Sequence, residues 1–124
     1  MSFVLVPSPY EQIPGLLKAA VPQFAQSEEY QIHQGKADDL SGVLLASFAK
    51  FLARRSREAL ADEALSRGLE VASDVWRSND ERTLEAMRDE FFEALANYPD
   101  AVSAMLPRME PSLRDGYARW AARA

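Results

Sequence analysis

Asp89 and Glu93 stand four residues apart, with Glu90 between them. On a helix that spacing puts two carboxylates one turn apart on one face, where they can share a proton or hold a hard cation. The di-metal carboxylate sites of helical bundles also need a Glu-x-x-His from each of two helices, and His33 is the sole histidine. The flanking Phe91 and Phe92 instead mark a helix anchored by aromatics, so the acids read as a solvated outer face. Asp38-Asp39 and Glu28-Glu29 read as a helix cap and a loop. His33 sits in the polar stretch Tyr30-Gln31-Ile32-His33-Gln34 with neither an acid nor a nucleophile at a diagnostic spacing. It is expected at the surface or partly packed, not as a general base.

Other chemistry is short of parts. With no cysteine the chain has no thiolate nucleophile, disulfide, zinc-cysteine site or iron–sulfur cluster. One histidine rules out a two-histidine metal site. No Gly-x-Ser-x-Gly elbow occurs, and five scattered glycines make no phosphate-binding loop. A non-catalytic protein without metal or cofactor is therefore expected. Phe48, Phe51, Phe91, Phe92, Tyr117 and Trp120 could line a ligand pocket, but at helical spacing in a small domain they are expected in the core.

The elements that position these residues follow from composition and periodicity. In 124 residues, alanine occurs twenty times and Val, Ile and Thr together only ten times, a bias toward helices and against sheets. The length suits one domain, read as an all-α fold of six to seven helices in stacked antiparallel hairpins. Residues 1–9, with Pro7 and Pro9, read as an extended arm. A first helix runs from Tyr10 to Pro22, with Pro14 and Gly15 weakening its opening turn. One irregular helical turn and a loop follow, closing at Gly35-Lys36. The strongest helix starts at Asp38 or Asp39 and carries Leu40, Val43, Leu44, Ser47, Phe48, Phe51 and Leu52 on one stripe, ending in Arg54-Arg55-Ser56-Arg57. The next spans about Glu58 to Arg77, where Gly68 would be explained by a close helix–helix approach. Ser78 and Glu81 read as a capping box for a helix reaching Asn97 with Leu84, Met87, Phe91, Leu95 and Tyr98 inward. Pro99 and Pro111 each open a further helix.

Charge is the most informative functional feature. Residues 1–57 hold six bases and five acids, residues 58–100 four bases and twelve acids, and residues 101–124 four bases and two acids. The net −5 therefore conceals a polarised chain whose central helices attract a cationic partner and repel nucleic acid. Arg54, Arg55 and Arg57 form a small opposite patch. No apolar stretch approaches the roughly 20 residues needed to span a bilayer, and no basic residue precedes the apolar start. A cytoplasmic protein without a membrane partner, monomeric or homodimeric, is expected.

The carboxy-terminal two-thirds carries a loose pattern: Gly42, Phe48, Phe51 and Leu52 on one helix, then Ser78-x-Asp80-Glu81, Phe91-x-Glu93-x-Leu95, and Leu106-Pro107-x-Met109-x-Pro111-x-Leu113-Arg114. Over residues 38–120 it resembles small all-helical bacterial domains among the immunity-type proteins of polymorphic toxin systems. The resemblance implies a protein that binds and blocks a cognate toxin without catalysis or cofactor. On that reading the exposed members of Glu70, Asp74, Glu85, Asp89 and Glu93 steer a basic toxin surface onto the central helices, with an aromatic such as Phe92 or Trp76 as anchor. A generic helical adaptor and a small-ligand binder with a pocket between helices are the alternatives.

Overall fold

In the computed structural model, which describes residues 8–33, 41–58 and 62–123, every regular element is helical and no strand occurs among the described residues. The arm expected over residues 1–9 lies mostly outside these residues. Ser8 and Pro9 belong instead to the first helix, α1 (Pro9–Ala20), where the Ser8 side chain accepts from the Glu11 amide at 3.2 Å. Pro22 starts a separate short turn, α2 (Pro22–Ala25), and Ser27 caps another, α3 (Glu28–Gln31), through the Tyr30 amide. Two ordered turns thus stand where one irregular turn was expected.

The central element is α4 (Ser41–Glu58), which packs against α1, α3 and most of the later helices. Its expected stripe is largely buried: Leu44, Phe48, Phe51 and Leu52 are at most 2% exposed. Val43 is the exception, at 40%. The expected caps Asp38 and Asp39 lie outside the described residues. Next comes α5 (Glu63–Trp76), whose N-cap is Asp62. The expected start at Glu58 is corrected, because Glu58 closes α4. A Cβ on Gly68 would stand 2.3 Å from Leu52 Cδ2 and 3.3 Å from Phe48 Cζ, so the close approach of α4 and α5 that would explain this glycine is present.

Ser78 does not cap the following helix. Asp80 does, accepting from the Thr83 amide at 3.0 Å and the Thr83 hydroxyl at 2.7 Å, while the Ser78 hydroxyl oxygen is buried without a hydrogen-bond partner. A cap must immediately precede the first helical turn, and Asn79, at a left-handed φ of 59°, is the bend that moves the cap on to Asp80. The helix then runs as α6 (Glu81–Ala86), a π-helical turn (Met87–Phe92) and α7 (Glu93–Ala96). Two further elements follow, α8 (Pro99–Met105) and α9 (Pro111–Arg123), separated by a 3-10 turn (Leu106–Arg108). Both begin at the prolines that the sequence nominates.

Two aromatic clusters fill the compact interior. Phe24 contacts Tyr30, Phe48 and Phe51 with ring centroids 5.0 to 5.6 Å apart. Phe92 contacts Phe91, Trp76, Tyr117 and Trp120 at 5.2 to 6.0 Å. No described helix is long and apolar enough to cross a membrane.

Candidate functional site

The outer side of the α6–α7 helix carries Glu81, Glu85, Asp89 and Glu93, each four residues from the next and each exposed. None of them is ion-paired with a described residue. Glu85, Asp89 and Glu90 line a small cleft with Tyr10, Gly42 and Arg82. There the Arg82 guanidinium lies 3.9 Å from the centroid of the Tyr10 ring, tying α6 to α1 by a cation–π contact. Gly42 leaves room for Glu90, whose Cγ would be 3.3 Å from a Cβ at that position. The structure therefore brings Glu85, Asp89 and Glu93 onto one helix, each exposed to solvent, and Glu81 extends the row.

Glu70 and Asp74 are not brought to this row. Asp74 accepts from Arg77 at 2.7 Å, and Arg77 also pairs with Glu110 at the start of α9. Together the two carboxylates hold the Arg77 guanidinium above its ordinary value, the Asp74 hydrogen bond being the larger cause. Glu70 lines a separate cleft with Leu69, Ser66, Arg108 and Glu110, in which Arg108 donates to the Ser66 hydroxyl at 2.6 Å. Of the two α5 acids expected to dock, Asp74 is thus paired with Arg77 and Glu70 shares a cleft with Arg108.

Phe92 is corrected as a docking anchor, because it is fully buried. On an ideal helix Phe91 and Phe92 would diverge by about 100°. The π turn holds more residues per turn, so neighbouring side chains diverge less, and both rings lie inside at 0% exposure. Trp76 is half-buried and lines a groove against α9 that shares no residue with the Glu85–Asp89 cleft. It packs against Phe92 and does not line the cleft of Glu85 and Asp89.

The other candidates have structural partners. His33 Nε2 is 2.9 Å from the Ser47 hydroxyl, which joins α3 to α4. Arg54 forks onto Glu29 at 2.6 and 3.0 Å, Arg55 pairs with Asp62, and Arg57 lies 5.3 Å from the Tyr98 ring centroid. The small basic patch is thereby absorbed into helix–helix contacts. Among the described residues no group of three or more His, Asp or Glu side chains is placed to hold a metal ion.

Sequence reasoning missed Arg88, Arg119 and Arg123, which flank Trp76 and Trp120 in the groove against α9. A signal was available in the net positive last segment and in the one-turn spacing of Arg119 and Arg123 around Trp120. No known protein family matches the chain, and no curated protein or solved structure is significantly similar to it.

Proposed function

We propose that the chain is a non-catalytic binding module for a basic protein surface, acting in the cytoplasm as an immunity-type inhibitor of a cognate bacterial toxin. The observation that carries this reading is the row Glu81, Glu85, Asp89 and Glu93, exposed along one helix without a cationic partner among the described residues. Four like charges on one face repel one another. A basic partner that lies along the row relieves that repulsion and is drawn to it before contact, which raises the association rate. In this reading the helices stack as antiparallel hairpins, and α6–α7 packs one side on α4 while its acidic side faces solvent. Asp74 is left out of the docking face because Arg77 pairs with it, and Glu70 because it lines a different cleft, on α5.

The experiment is the association rate of the wild-type chain and of the Asp89→Lys/Glu93→Lys variant with the captured partner across ionic strengths. The reversal slows association on the order of tenfold at low salt and flattens its salt dependence. Unchanged kinetics would remove electrostatic steering from the account. Co-expression of the chain should also relieve the toxicity of that partner, and persistent toxicity would contradict the inhibitor reading.

A further inference from the structure

The groove between the end of α5, the π turn and α9 has a chemistry opposite to that of the acidic row. It is a half-open groove of about 470 Å³, within the roughly 300–1,000 Å³ of small-molecule sites. Two of its walls are the indoles of Trp76 and Trp120, and its charge comes from Arg88, Arg119 and Arg123. None of these arginines is ion-paired with a described residue. Among the described residues Asp115 is the one lining carboxylate, so three arginines face one acid on a chain whose net charge is −5.

The groove is built by features that are otherwise costly. The π turn brings Phe92 beneath both indoles, 5.2 Å from Trp76 and 5.9 Å from Trp120 between ring centroids. The same turn supplies Arg88, whose guanidinium lies 6.0 Å from the Trp76 centroid. Irregular turns of this kind concentrate at functional sites. Gly116 lets the Trp76 ring lie against α9, since a Cβ there would come within 2.5 Å of Cζ2. Arg119 and Arg123, one turn apart on α9, share a face.

We propose that this groove binds a planar aromatic anion, a ring carrying a carboxylate or a phosphate group. The indole faces take the ring by stacking, and the planar guanidinium forks take the oxyanion in bidentate fashion. A ring without an anion leaves the arginines unanswered, and an anion without a ring leaves the exposed part of the indoles unused.

Trp76 and Trp120 are the only two tryptophans of the chain, so intrinsic fluorescence reads the groove directly. The probes are adenosine monophosphate and benzoate, with adenosine as the ring alone and inorganic phosphate as the anion alone. Saturable quenching by at least one ring-bearing anion is expected, about tenfold or more tighter than by either part. Arg119→Gln/Arg123→Gln, at exposed positions, should weaken binding about tenfold or more with thermal unfolding unchanged. Arg88→Gln, on the other wall, should weaken it as well. Absence of saturable quenching by both anions, equal binding of adenosine, or full affinity in both arginine variants would overturn the proposal.

Discussion

Pro14 has no N–H to give to the Tyr10 carbonyl, and the Ser41 hydroxyl donates to that oxygen instead at 2.7 Å. Ser41 is 3% exposed, so Ser41→Ala removes a buried hydrogen bond between α4 and α1 and should cost about 0.5–1.5 kcal/mol, read from the urea denaturation midpoint. The Arg54 fork acts on a different variable. Its hydrogen bonds hold Glu29 below the usual carboxylate range, against the opposing effect of burial. A carboxyl with a depressed folded value contributes stability above its unfolded value and loses it as pH falls through the folded one. The Arg54 side chain is 43% exposed, so solvent limits the contribution to below about 1 kcal/mol. Glu29→Gln should therefore lower the denaturation midpoint at neutral pH, and the difference from wild type should vanish in acid below the Glu29 value. Neither contact was legible in the sequence, because both join residues more than twenty positions apart and neither has a periodic signature.

At the scale of elements, periodicity carried far. The prolines at 99 and 111 open the helices that their missing N–H groups suit, and the α4 stripe is the core. The failures fall where backbone geometry departs from the ideal helix on which the reading rests. Asn79 in the left-handed region moves the cap from Ser78 to Asp80, and the π turn carries Phe92 inward. Phe92→Ala should consequently cost about 3–5 kcal/mol of stability, measured by chemical denaturation, whereas a surface docking residue would cost almost none. Gly116 sharpens the same point. Alanine favours a helix over glycine by up to about 1 kcal/mol, yet Gly116→Ala drives a methyl into the Trp76 ring and should lower the melting temperature while shifting tryptophan emission.

At the scale of the whole molecule, the sequence located an excess of acid in residues 58–100 but not its division between surfaces. A linear count cannot register that Asp74 pairs with Arg77, whereas Glu81, Glu85, Asp89 and Glu93 are exposed and form no ion pair with a described residue. Nor could it show Arg88 joining two arginines of α9 across the fold. The outcome is a protein with a negative row and a positive aromatic groove, with no residue in common between the cleft of Glu85 and Asp89 and the groove. The central claim, that the row docks a basic partner, is tested most directly by capturing partners from the source cells with the wild-type chain and with Glu85→Lys/Asp89→Lys/Glu93→Lys side by side, at low and high salt. The account predicts one basic protein held stoichiometrically by the wild type at low salt, weakened by salt and lost in the variant. Equal retention by both chains, or no specific protein held by either, would contradict it.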